Sequence, residues 1–418
     1  MKAPNNFSFN ELINDYYLSN TMRINKKKFS IIFILITYFI IGSYTSVNNG
    51  ISFDEKHEQL NWNFHSKLIN DYYNYVFLNE KITEEIKNEY KPFVGYGVGF
   101  QLISQPIQSV LKNILNHNQS IDDYGVLLIS KHFVVFLFFF VSGIFFFLIL
   151  RKIIDNENFA LLATSIYLTY PYLFGQSMFS PKDIPFMAVW LICTYVICNI
   201  FDKLISKKKL SYRDVLALSL ITSYLLSIRI AGLLIFVQYV IFLVLFVSIS
   251  KNNILKILKE NWANIILFTT SLTFFFFLFY PPFWIDPSLV IDSIRIMANH
   301  FNNVGTTTFG KIMYAKNLPS TYLLIWLVVK LPLVILIGLF LIPFCEKKIF
   351  TNDRKSILFG SILLSVIIIP LILIIRNTHL YDELRQVMFI IPLIFIIGLI
   401  SIYTFSKKFF YVIGSLTI

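Results

Sequence analysis

A chain of 418 residues that is 56% hydrophobic, 17% aromatic and only 14% charged has too little polar material to cover a water-exposed surface of its size. Its mean hydropathy of +0.66 points to a polytopic, all-α membrane protein. The net charge of +12 is explained by lysines and arginines gathered in loops at alternate ends of the apolar runs, so nucleic-acid binding is an unnecessary reading.

A crossing needs about 20 apolar residues. Windows of that size predict crossings near 29–47, 124–150, 158–178, 183–202, 214–229, 231–250, 264–284, 320–344, 356–376 and 386–406, about ten transmembrane helices. Only Arg229 to Ala231 separates the fifth from the sixth. Residues 1–28 form a polar leader, long for a signal peptide and followed by no clear small-x-small cleavage site, so the first span reads as a retained anchor. Lys26-Lys27-Lys28, Arg151-Lys152, Lys207-Lys208-Lys209, Lys251, Lys256, Lys259, Lys347-Lys348 and Lys407-Lys408 fall at one set of span ends. Basic residues are retained in the cytoplasm, which places the N-terminus inside. Cys193, Cys198 and Cys345 lie in or at the inner ends of spans and imply no disulfide framework.

The first outer loop, 48–123, carries Ile103, Ile107, Val110, Leu111, Ile114 and Leu115 at helical spacing, which predicts an amphipathic helix lying on the membrane surface. Leu60, Phe64, Leu68 and Tyr72 suggest a second. The outer loop 285–319, with Asn302, Asn303, Gly305, three threonines and Gly310, predicts a mobile lid or irregular binding loop. Phe409 to Ile418 are apolar but too short to cross, an interfacial tail or the start of an eleventh span. No repeat or linker divides the chain, so 1–418 is expected to be one integral domain.

Lys131, His132, Asp183, Arg229, Lys330 and Arg385 all map to the outer side of the spans, and the cytoplasmic half carries no embedded charge. An ionisable group costs roughly 3 kcal/mol or more at mid-depth, so such a set marks a site at the outer face. Asp54-Glu55 joins it just beyond the first span. Neighbours on a helix point about 100° apart, so one acid is free to serve as general base while the other orients a substrate or cation. His57-Glu58 does not begin a zinc helix, because Asn61 stands where the second histidine would be. A looser site for a divalent cation at Asp54, Glu55, His57 and Glu58 stays open, and no other cofactor is called for.

Ser180-Pro181-Lys182-Asp183-Ile184-Pro185 is a tight outer turn that presents Lys182 and Asp183 at headgroup level. Arg229 stands about 23 Å from the inner end of its span and Lys330 about 12 Å deep. Arg385 opens the last span. Arginines and a lysine near one leaflet suit a phosphate or pyrophosphate headgroup. Snorkelling, or ion pairs with Asp183 or Glu383, is the alternative. Lys131 and His132 read as structural. There is no Walker loop, dinucleotide fingerprint, nucleophile elbow or Cys-x-x-Cys pair.

Ile51-Ser52-Phe53-Asp54-Glu55, Tyr170-Pro171-Tyr172-Leu173-Phe174-Gly175-Gln176-Ser177 with Ser180-Pro181-Lys182-Asp183-Ile184-Pro185-Phe186, and Leu380-Tyr381-Asp382-Glu383-Leu384-Arg385-Gln386-Val387-Met388-Phe389-Ile390-Ile391-Pro392 resemble the dolichyl-phosphate-mannose-protein mannosyltransferase family, of the glycosyltransferase C fold class. The likeness runs from the first span to about residue 400. It implies a hexosyl- or pentosyltransferase that moves a sugar, with inversion, from a polyprenyl-phosphate donor to a protein, lipid or glycan acceptor outside the cytoplasm. Asp54 would act on the acceptor, Glu55 would hold the acceptor or position Asp54, and Arg385 would pair with the carrier phosphate. Gln386 replaces a histidine found in many bacterial relatives, so no role of that histidine transfers. The expected location is a bacterial inner or plasma membrane, with membrane lipids as surroundings and protein glycosylation or the cell envelope as context. A lipid-linked sugar transporter or flippase, and a non-catalytic partner in envelope assembly, are the competing readings.

Overall fold

The computed structural model describes residues 33–78, 95–115, 123–251, 253–299, 303–308 and 310–417, and they are nearly all helical. The polar leader 1–28 lies outside them. The helices used below are α1 (Phe33–Val47), α2 (Phe53–Phe77), α3 (Gly99–Leu115), α4 (His132–Ile153), α5 (Glu157–Leu168), α6 (Asp183–Ile205), α7 (Tyr212–Ile228), α8 (Ile235–Ile249), α9 (Trp262–Leu278), α10 (Tyr322–Lys330), α11 (Leu333–Phe340), α12 (Asp353–Ile375), α13 (Ile391–Phe405) and α14 (Lys407–Thr417).

Among the described residues, five segments are long and apolar enough to cross a membrane: Asp123–Ile153, Asp183–Ile205, Ile230–Ile249, Asp353–Ile375 and Arg385–Phe405. The number rises to seven if Ile254–Glu260 with α9, bent by 70°, and α10 with α11, bent by 116°, each count as one. Of the expected ten, the first, 29–47, is described only from Phe33 onward; among the described residues the others are not all unbroken helices, and local chemistry accounts for three of the breaks. Asn156 caps α5 by accepting from the Phe159 N–H at 2.8 Å, but the helix ends at Leu168 because Tyr170, ahead of Pro171, is held extended. Pro332 likewise ends α10 and turns the chain into α11. α7 stops at Ile228 after 17 residues, and a 3₁₀ turn, Ile230–Leu234, leads into α8.

The core lies along α13. Within the last span, 94% of the most apolar window is buried by protein, which makes this helix the axis of the bundle and not a lipid-facing strut. α11 meets it at a backbone contact: a Cβ added at Gly338 would sit 2.2 Å from the Gly398 carbonyl oxygen. α4 packs on α6, α8 on α12 and α7 on α9. Gln238, buried on α8, is satisfied by Trp190 Nε1 donating at 2.8 Å and by its own donation to Thr194 at 3.0 Å. A buried amide so satisfied is a packing device.

α3 turns its polar face inward. Gln101, Ser104 and Gln108 are buried, whereas Ile103, Val110 and Ile114 are exposed. That inversion suits a helix with lipid on its outer side. α2 is less regular than its spacing of four suggests: Phe64 and Leu68 are buried, and Leu60 points out. The loop 285–319 is structured wherever it is described. It holds a helix, Leu289–Asn299, and an antiparallel hairpin pairing Gly305–Thr308 with Lys311–Tyr314, favoured by its β-branched threonines and turned at Gly310 with φ +71°. Asn302 lies outside the described residues.

Candidate functional site

The first turn of α2 divides its two acids. Glu55 Oε1 accepts the Ser52 backbone N–H at 2.6 Å, and Oε2 meets His132 Nε2 at 2.8 Å. Glu55 is only 1% exposed and does not line either cavity described below; its two carboxylate oxygens face the helix start and His132. His132 Nδ1 lies 2.9 Å from the Ser46 carbonyl oxygen, which ties α4 to the end of α1. Asp54, turned about 100° from Glu55, faces away from it and pairs with Arg385.

From Asp54 the charges alternate inward. Arg385 pairs with Asp54 through one guanidinium nitrogen and donates Nε to Asp183 Oδ2 at 2.6 Å. Asp183, buried at the start of α6, also pairs with Arg229 and accepts from the Ser180 hydroxyl at 3.1 Å. The chain Asp54–Arg385–Asp183–Arg229 thus draws on four separate segments. Removing either arginine from Asp183 would leave a buried carboxylate short of a partner, which typically costs about 3–5 kcal/mol. Each guanidinium has five donors, so these pairs fix the groups while leaving N–H for an added anion.

Arg385 is placed by a strained turn. Asp382 and Glu383 both adopt left-handed backbone, φ +52° and +62°. Such residues cost about 1–3 kcal/mol each and persist only when neighbours hold them. Here the Asp382 N–H donates to Thr306 Oγ1 at 3.3 Å and the Glu383 N–H to the Tyr322 hydroxyl at 2.8 Å. The hairpin and α10 therefore clamp the turn that delivers Arg385.

Two cavities share the Asp54–Arg385 pair as a wall. The first, about 230 Å³, is lined by the charged side chains of Asp54, Glu58, Lys182, Arg229 and Arg385 together with the apolar Ile228, Ile230, Leu234, Leu373 and Phe389. The second, about 480 Å³, is more polar, with Asp54, Gln176, Thr306, Thr307, Glu383 and Arg385. Gly97 closes the first against α7. A Cβ there would lie 2.0 Å from the Ser227 carbonyl oxygen, so only glycine fits.

Lys182 donates to Glu58 Oε1 at 2.8 Å and lies over the Tyr96 ring at 4.7 Å. Burial works to raise the Glu58 carboxyl, but the Lys182 ammonium, with hydrogen bonds from Lys182 and Gln101, outweighs it and holds Glu58 below the usual carboxylate range. Burial pushes the Tyr381 and Tyr96 phenols up to about 12, so both stay protonated donors at neutral pH. Lys330 is set apart. It pairs with Glu383 at 2.5 Å between the Tyr172 and Trp326 rings and lines neither cavity. Lys131 is buried, and its ammonium has no hydrogen-bond partner among the described residues.

Five of the seven predicted site residues, Asp54, Lys182, Asp183, Arg229 and Arg385, thus meet; Glu55 and Lys330 support the neighbouring backbone and charge. The internal ion pairs kept open above are formed, with Asp183 taking both arginines and Glu383 taking Lys330. The looser cation site is not assembled, since Asp54, Glu55 and Glu58 turn to Arg385, His132 and Lys182 respectively, and no three His, Cys, Asp or Glu side chains converge among the described residues. Tyr96, Gly97 and Tyr381 were not singled out by their chemistry. Gly95-Tyr96-Gly97, two glycines flanking an aromatic, was the available signal of close backbone approach. No family model, curated protein or solved structure matches this chain.

Proposed function

We propose that this chain is an inverting, membrane-embedded glycosyltransferase of the glycosyltransferase C type, taking a sugar from a polyprenyl-phosphate carrier on the extracytoplasmic side. The observation that carries the reading is the Asp54–Arg385 pair shared by two cavities, one lined by Lys182, Arg229 and apolar side chains and a second, more polar one. Apolar walls suit the first isoprene units of a carrier, and Arg229, Arg385 and Lys182 suit its phosphate. The polar cavity suits an acceptor bearing a hydroxyl or amine. In this topology α1, the shorter helices α5, α7 and α9, and the bent α10–α11 complete the remaining crossings, about ten in all, with the N-terminus inside.

When the carrier phosphate engages Arg385, it competes with Asp54 for the guanidinium. Asp54 is then released to take the proton from the acceptor. The acceptor oxygen or nitrogen attacks the anomeric carbon from the side opposite the phosphate. The bond from that carbon to the phosphate oxygen breaks, and its electron pair leaves with the polyprenyl phosphate, held by Arg385, Arg229 and Lys182. Asp183 keeps both arginines oriented throughout. Glu55 and His132 keep the first turn of α2 in register.

The satisfied Gln238 favours a transferase over a transporter, which needs polar access from both faces near mid-membrane. Incubating the purified chain, reconstituted in liposomes, with a panel of radiolabelled polyprenyl-phosphate sugars and candidate acceptors tests the reading. Label is expected to leave the lipid fraction for an acceptor, with free polyprenyl phosphate as co-product. Label that stays on the carrier across the panel counts against transfer, and label that changes membrane side while still on the carrier supports a flippase.

A further inference from the structure

A separate cavity of about 460 Å³ lies at the far end of α4, about 32 Å along the helix from His132 at 1.5 Å per residue. Lys348, Arg354, Lys355 and Lys407 line it against a single carboxylate, Asp155, a balance of four positive charges to one negative. Asp155 is itself engaged, 3.6 Å from Arg151, and largely exposed. Arg354 is anchored by Asp202 at 2.6 Å, which also takes Lys152 at 2.8 Å. Lys348, Lys355 and Lys407 have no carboxylate in ion-pair distance among the described residues; Lys407 lies over the Tyr403 ring at 5.7 Å.

Retention of positive charge on the cytoplasmic side accounts for the sign of these residues but not for their convergence. They come from three helices, Ile342–Ile349, α12 and α14. Helix stability does not account for them either. Lys348 is in a last turn, where a cation suits the dipole, but Lys355 is in the first turn of α12 and Lys407 opens α14, where positive charge opposes it. We infer that this cavity binds a phosphate-bearing anion, from a lipid headgroup or from solution, independently of the site around Asp54. Basic pockets between helices at a cytoplasmic face are suited to such headgroups.

The test is native mass spectrometry of the purified full-length chain with two probes: dioleoyl phosphatidylglycerol, against dioleoyl phosphatidylcholine, and inorganic pyrophosphate. Retention of phosphatidylglycerol over phosphatidylcholine would assign a lipid, and retention of pyrophosphate alone a soluble phosphate. Lys355→Gln with Lys407→Gln is expected to weaken the retained probe about ten-fold, a loss of about 1.4 kcal/mol. Lys207→Gln with Lys208→Gln, basic residues lining none of the cavities described, should leave it unchanged. If the double variant does not fold, Lys348→Gln replaces it. Equal weakening by both pairs, or retention of neither probe, overturns the inference.

Discussion

Asp54→Asn is expected to lower the rate of sugar transfer by about 10²–10⁴-fold while leaving expression and thermal unfolding close to wild type. Asparagine keeps the shape of the side chain and can still accept a hydrogen bond from Arg385, but it cannot hold the acceptor's proton. The neighbouring acid supplies the contrast. Glu55 is buried, bonded to the Ser52 N–H and to His132, so Glu55→Gln disturbs the helix start that aims Asp54 and should cost activity and stability together. Single-turnover transfer and thermal melts on the two variants separate these effects. Full activity in Asp54→Asn would remove the base assignment, and an equal thermal loss in both would reduce Asp54 to a structural ion-pair partner.

Arg385→Ala carries the second large effect. This guanidinium binds Asp183 and Asp54 at once and is the group a carrier phosphate would engage. Losing one charge-stabilising donor of a leaving group costs roughly 10²–10³ in turnover. Arg385→Lys should recover only part, because an ammonium is a point charge that cannot bridge two carboxylates and a phosphate with a planar fork. The measurement is kcat and KM for the donor, with polyprenyl-phosphate affinity measured separately. Unchanged donor affinity and turnover in the alanine variant would reject the role of Arg385 at the phosphate.

Much of the site was legible because embedded charge is costly: Asp183, Arg229 and Arg385 stood out against apolar spans, and they do converge. Their pairing was not legible, because sequence separation says nothing of contact; Arg385 and Asp54 are 331 positions apart. Lys330 shared the same signal as Arg229, yet the break at Pro332 and the ring pair Tyr172 and Trp326 turn it toward Glu383. Hydropathy likewise found the apolar runs but not their breaks. Pro171 and Pro332 were visible as residues, whereas the 116° bend depends on what α11 packs against, the close backbone contact of Gly338 with Gly398. The periodicity of α3 was correct and its apolar face does turn outward, but the hydrogen bonds of Gln101 and Gln108 that fix it come from distant segments. The hairpin at 305–314 escaped notice because glycine, asparagine and threonine suit both loops and short strands.

The account turns on one cavity holding a lipid phosphate at Arg229, Arg385 and Lys182 with the tail against its apolar side chains. A photoactivatable polyprenyl phosphate, diazirine-bearing near the phosphate, crosslinked to the purified chain and mapped by peptide mass spectrometry, asks this directly. Labelled peptides should contain Arg229 to Leu234 and Tyr381 to Phe389, and unlabelled polyprenyl phosphate should compete the signal away. Labelling confined to the opposite end of the bundle, or labelling that excess unlabelled carrier does not reduce, would contradict it.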